Sequence, residues 1–225
     1  MAVSLEVGSD TVCSNVFAEV SNGIQIVVRG TLSNFRAVSG TVADVLLVGA
    51  AQPTIMGAKG INTLSDATLP APAGANLTDI EAASFTFSAG KSGYKIKGLT
   101  QTGVGAQTIA GDSHSFVGCF WTAPLTVIGI ANKFGDCTFS GTVSSVGVHN
   151  SYNNSIFNIS SATALDISGS FNKSVANRAG LSAGGGIGTI NITGASTGSI
   201  VGDCHTDAAI TNAGIGTALS NNVVY

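Results

Sequence analysis

The protein is a chain of 225 residues in which charged side chains make up only 9% and the formal net charge is −3. Its nine basic residues are strewn from Arg29 to Arg178, so the sequence shows no basic stripe able to neutralise a phosphate backbone, and no nucleic-acid partner is expected. The longest unbroken apolar-and-glycine run, residues 45–51, is far short of the ~20 residues that a membrane-spanning helix requires, and no membrane partner is expected either.

Glu, Lys, Arg and Gln, which usually clothe helices, are scarce, whereas Val, Ile, Thr and Phe are punctuated by 30 glycines and by many Asn and Ser. That balance favours strands and tight turns and predicts an all-β chain. The opening residues 1–6 have no basic n-region and no long apolar stretch, so no secretory signal is expected. Cys13, Cys119, Cys137 and Cys204 form no C-x-x-C pair. They are expected to be buried thiols in a protein assembled in a reducing cytoplasm.

In chain order, residues 1–49 carry strand-like runs at 12–20, 23–29 and 41–48, closed by Gly and Asn, and are expected to form a small β-rich N-terminal docking region. Residues 50–83 hold Pro53, Pro70 and Pro72 without a sustained period and read as an irregular Pro/Ala/Gly-rich connector, with a short helix or turn at 77–82. From 84 to 225 a repeat of about 18 to 20 residues emerges. Phe116 to Phe134, Cys119 to Cys137 and Phe139 to Phe157 are each 18 apart, Phe120 to Phe139 and Phe171 to Ile190 are 19, and Ile190 to Ile210 is 20. A coil that short cannot bury its own apolar face, so equivalent residues of successive coils must stack. The expected fold is therefore a C-terminal parallel β-solenoid, with Phe120, Phe139 and Phe157 in one inward column. The alternative is an antiparallel β-sandwich or jelly roll, since the 14-residue step from Phe157 to Phe171 breaks the register. Two recurrent tetrapeptides, 39–42 with 140–143 and 111–114 with 202–205, suggest repeated turn geometry.

The candidate chemistry is sparse. Asp112, Ser113 and His114 are the three residue types of a hydrolase triad, but triad members are ordinarily distant in sequence, and a turn with an exposed histidine is expected instead. The nucleophile-elbow pattern G-x-S-x-G occurs at 180–184 around Ser182 and at 194–198 around Ser196 without a helix to follow. His114, His149 and His205 have no metal-ligand spacing with respect to each other or to Asp203 and Asp207. After Glu81 the acids are Asp112, Asp136, Asp166, Asp203 and Asp207, too scattered to pair as glycosidase carboxylates by design. The asparagines of 149–154, with Asn158, Asn172 and Asn177, fit either side-chain ladders or a solvated loop. The glycine cluster at 182–188 lacks the lysine of a phosphate loop. No catalytic, cofactor-binding or metal-binding residues are therefore assigned, and no enzyme activity is expected.

A stack of small-residue-rich coils behind a distinct N-terminal segment resembles bacteriophage virion proteins of the β-helix type, including tailspikes, fibres and capsid decoration proteins. The resemblance covers residues 84–225 and is one of style. It implies a homo-oligomer, commonly a trimer, assembled in the host cytoplasm and located in the virion, with the N-terminal region docked on the particle. Within that class, the shortage of aromatic residues suits a capsid cement or decoration protein bound to the major capsid protein or another virion component. A receptor-binding tail fibre or spike and a polysaccharide-active β-helix enzyme are the alternatives.

Overall fold

The computed structural model describes residues 3–19, 23–37, 43–48, 52–67, 74–159, 163–179, 189–206 and 209–224. Every regular element among them is a β-strand, and the strands pair in parallel with their sequence neighbours one coil away, so the chain is a β-solenoid of about ten turns. The antiparallel alternative is not favoured.

One coil shows how the sequence does this. Ser115–Val117 forms a strand on the first face, Gly118 and Cys119 turn a corner, Phe120–Trp121 lies on the second face, and Leu125–Val127 lies on the third. A second corner, Gly129 to Asn132, then leads to Lys133–Gly135, which sits directly on Ser115–Val117. The first face is a single ladder of 11 strands from Val12–Ser14 to Ala218–Ser220. The other two faces are joined by hydrogen bonds because Ile61–Ser65 and Glu81–Thr86 each run along both: Ala82 pairs with Gln101 on the second face, while Phe87 pairs with Ile109 on the third. This produces one 12-stranded ladder beside a six-stranded one and a two-stranded one.

Among the described residues the stack runs from Val3 onward and passes through all three expected segments. Within the expected connector, residues 50–83, Thr54–Met56, Ile61–Ser65 and Asn76–Thr78 are rungs of the same ladders. Residues 77–82 contain no helix. Asn76–Thr78 ends on the first face, Asp79 turns the corner with φ 53°, and Glu81 opens the next strand. Buried Leu77 alternates with part-exposed Asn76 and Thr78, which marks a strand here and not a 3.6-residue period.

Strand alternation also corrects the aromatic column. Trp121, Phe139 and Phe157 are the paired inward residues of the second face, all at 0% exposure, while Phe120 pairs with Thr138 and is 38% exposed. A one-residue slip moves a side chain to the opposite face of a sheet, so the 19-residue interval from Phe120 to Phe139 linked an outer position to an inner one. A parallel column on the first face stacks Phe116, Phe134 and Tyr152, with centroids 4.8 and 4.9 Å apart and rings within 3° of parallel. The strand spacing of a sheet, about 4.8 Å, sets that distance. Phe171 belongs to neither column. It is half-exposed at a corner, and the residue stacked on Phe157 is Ala179, 22 positions on, because that coil is longer. Ile190 does stand one coil below Ile210, since Asn191 pairs with Thr211.

Candidate functional site

The corners explain most of the residues that looked like chemistry. At the corner between the first and second faces, one residue per coil takes a left-handed conformation: Asn15, Asn34, Gly57, Asp79, Gly98, Gly118, Asp136, Asn154, Ala176, Asp203 and Asn221. Gly, Asn and Asp tolerate that region best, which accounts for most of the column.

The other corner follows the pattern Gly-x-x-Asn. It reads Gly111 to His114, Gly129 to Asn132, Gly147 to Asn150 and Gly169 to Asn172, and its third residues Ser113, Ala131, His149 and Phe171 all have φ between 54° and 59°. The last residue of each turn points inward and forms a continuous hydrogen-bond ladder. Tyr94 N–H donates to His114 Nδ1 at 3.2 Å, His114 N–H to Asn132 Oδ1 at 2.9 Å, and Asn132 N–H to Asn150 Oδ1 at 2.9 Å. Asn150 N–H then donates to Asn172 Oδ1 at 2.8 Å, and Asn172 N–H to Ser199 Oγ at 3.1 Å. Each amide also donates downward, from Asn132 to Gly111 O, Asn150 to Gly129 O and Asn172 to Gly147 O, at 2.9 to 3.0 Å. The glycines are required because a Cβ at Gly129, Gly147 or Gly169 would collide with the carbonyl of the turn below. Of the two readings of the asparagine-rich segment, the ladder is correct for Asn150 and Asn172. Asn177 builds a second one at the opposite corner, accepting from Ser155 N–H at 2.7 Å and donating to Tyr152 O at 2.8 Å.

His114 is thus a rung, and the expected exposed histidine is instead fully buried, stacked on Tyr94 with centroids 4.4 Å apart. Burial pushes its pKa down to about 4 against an opposing pull from the Asp112 carboxylate, so the ring is neutral and accepts at Nδ1. Asp112 accepts from Ile130 N–H at 2.7 Å and Ser113 is the left-handed turn residue, so the three make a turn and no triad. The tetrapeptide 202–205 is not its counterpart, because Gly202 ends a first-face strand and Asp203 lies at the other corner. Residues 39–42 and 180–188, including Ser182, and Asp207 lie outside the described residues. Ser196 is fully buried, shares a hydrogen with Ser199 at 2.8 Å and donates to Gly169 O at 3.0 Å, which fixes it as part of the ladder's end.

The remaining candidates are dispersed by the fold. His149 stacks on the Phe171 ring at a corner, and His205 lies on the second face, so neither meets His114. No group of three or more His, Cys, Asp or Glu able to hold a metal occurs among the described residues. Asp136 and Asp203 share a corner column but stand three coils apart, about 14 Å at the spacing of strands. That exceeds the roughly 5 to 9.5 Å between working glycosidase carboxylates. Asp166 lies on the third face and accepts from Asn191 Nδ2. Cys119, Cys137 and Cys204 are buried as expected, whereas Cys13 is half-buried. Contact with Cys119 and burial raise the Cys137 thiol, and burial raises Cys204, which leaves both as inert thiols.

The grouping that the sequence reading missed is on the outer side of the first face. Lys95, Ser115, Lys133, Ser151 and Lys173 occupy one register position on five successive strands, and Lys97 adjoins Lys95 two residues along. The basic residues that look scattered along the chain thus include four that share a face. The spacings of 38 (95 to 133) and 40 (133 to 173) residues, each two coils long, were the available signal. None of the four makes an ion pair among the described residues, and no Asp or Glu occupies a strand position of this face. Beside Lys95 and Lys97 lies a shallow groove of about 440 Å³, with Asn76, Thr78, Ser115 and Val117 in its wall. Comparison with protein-family models, curated proteins and solved structures finds no match to this chain.

Proposed function

We propose that the protein is a non-catalytic structural component of a bacteriophage virion, a homotrimeric rod that serves as a capsid cement or decoration protein. The observation that carries the non-catalytic part is the use made of its polar interior. His114, Asn132, Asn150, Asn172, Ser196 and Ser199 are spent on backbone N–H and C=O groups of neighbouring coils, which leaves no nucleophile beside a base and no facing carboxylates among the described residues. A stack whose asparagine rungs each accept from one neighbouring coil and donate to another is rigid and durable, which is what a cement or rod needs. The virion setting rests on the style of the sequence and on its agreement with the solenoid fold. Attachment through the N-terminal coils is supported by Val12 and Phe17, large apolar side chains left exposed on the early strands.

Sedimentation equilibrium of the full chain should give a trimer mass, and the protein should co-sediment with emptied capsids of its source particle. Val12→Ser together with Phe17→Ser should abolish that co-sedimentation without changing the melting curve. A wild-type ester- or polysaccharide-cleaving activity that disappears on alanine replacement of Asp112, His114 or Ser196 would sink the proposal in favour of an enzyme.

A further inference from the structure

We infer that the outer side of the first face binds an extended acidic polysaccharide carrying about one carboxylate per disaccharide, with Lys95, Lys133 and Lys173 each meeting one carboxylate. This stands whether or not the chain belongs to a virion. The period of the lysines matches such a chain. Consecutive strands of a sheet lie about 4.8 Å apart, so lysines on alternate coils recur about every 10 Å, close to the length of an extended disaccharide. Charge favours the same ligand. With no carboxylate at any strand position of the face, the three ammonium groups add in sign instead of being neutralised locally, and all three side chains are exposed. The acids nearest the face stand at its corners, where Asp79 and Asp136 bound the site along one edge and Asp112 along the other. Hydrogen-bonding side chains lie between the charges. Ser115 and Ser151 alternate with the lysines in the same row, Asn153 is beside it, and Asn76 and Thr78 line the groove next to Lys95, all able to bond sugar hydroxyls.

The same face is poorly suited to nucleic acid. Phosphates recur every ~3.4 Å along a duplex strand, so most would find no lysine, and no outward strand position of the face carries an aromatic ring on which a base could stack. Lysine is a flexible point charge that does not demand bidentate geometry, which fits a carboxylate presented on a moving chain.

The test measures binding of the full chain to hyaluronan oligosaccharides, which carry a carboxylate on every second sugar. Neutral dextran of equal length and a single-stranded DNA oligonucleotide are the comparison probes. Binding to hyaluronan should exceed binding to dextran and weaken as salt rises. Replacing all three residues (Lys95→Gln, Lys133→Gln, Lys173→Gln) should lower hyaluronan affinity by about tenfold or more, while Lys59→Gln, on the second face, should leave it unchanged. The sharper variant exchanges Ser115→Lys with Lys133→Ser, which keeps the net charge and destroys the two-coil period. It should cost about threefold or more. The inference is overturned if hyaluronan binds no better than dextran, or if the triple variant binds like the wild type. It is also overturned if DNA binds as tightly as hyaluronan and the exchange has no effect, since that would be charge attraction without recognition. Unchanged melting curves certify the variants; should the exchange variant melt early, the solvent-facing single changes Lys95→Gln and Lys173→Gln decide the matter by their loss of affinity.

Discussion

The early and late coils solve the same corner problem differently. At the corner between the first and second faces, the inward residue runs Val16, Phe35, Ala58, Ile80 and Leu99 in the early coils, then Cys119 and Cys137, and finally Ser155, Asn177, Cys204 and Asn222. At the opposite corner the series begins with Gly30, Pro53 and Ala75, passes through Tyr94 and His114, and settles into Asn132, Asn150 and Asn172. Early coils fill the corners with apolar volume, and Pro53 removes a backbone donor outright. Later coils keep the donors and answer each with a side chain from the next coil. The polar rungs hold across coils of different length. Successive first-face strands are 19, 23, 22, 19 and 20 residues apart up to Ser115, then 18, 18, 22 and 27 across Asn132, Asn150, Asn172 and Ser199. The four extra residues of the 22-residue coil lie between Phe157 and Leu165, away from the rung, whose reach is fixed by hydrogen-bond geometry.

This difference can be broken by substitution. The largest effect is expected in the aromatic columns: Phe139→Ala should destabilise the protein by about 3 to 5 kcal/mol in urea unfolding, while Phe120→Ala, on the outer side of the same face, should cost less than about 1 kcal/mol. Comparable losses from the two would mean that the register is wrong. Next comes the ladder. Asn150→Leu imitates the apolar corners of the early coils, but it orphans Asn132 N–H and Gly129 O and should cost about 2 to 4 kcal/mol. Hydrogen exchange should show the Asn132 amide losing protection first; a neutral substitution would show that apolar filling serves equally well in late coils.

The third prediction concerns pH and the rung where one solution gives way to the other. His114 has its pKa lowered from 6.5 unfolded to about 4 folded, so the unfolded chain takes up the proton first as pH falls. Its contribution is fully present above 6.5 and is lost between 6.5 and 4, up to about 3 kcal/mol. His114→Asn, which continues the asparagine series, should flatten that part of the urea-midpoint profile, and an unchanged slope would assign the acid sensitivity elsewhere. The smallest effect is at a turn. Ala131 is held at φ 59°, where a Cβ is unfavourable, so Ala131→Gly should stabilise the folded state by about 1 kcal/mol or less. A loss instead would indicate that the Ala131 methyl contributes packing that outweighs its strain.

Composition and spacing alone were enough to specify an all-β chain, a coil of about 18 to 20 residues, and stacking of Phe116 on Phe134 and Phe139 on Phe157, because a parallel stack repeats its side chains at the length of its own coil. They also allowed the asparagine ladder as one of two readings. What they could not decide was phase. Phe120 and Trp121 are adjacent in sequence and face opposite ways, and coils of 19 to 27 residues shift the count without changing the stack. For the same reason the early coils, whose apolar corners leave no polar signature, passed for a separate region and a connector, and His114 passed for a surface residue. The lysine row is the clearest case. Lys95, Lys133 and Lys173 are remote in the chain and separated by unequal intervals, and only the in-register pairing of parallel strands, which sums each coil's own length, places them on one line.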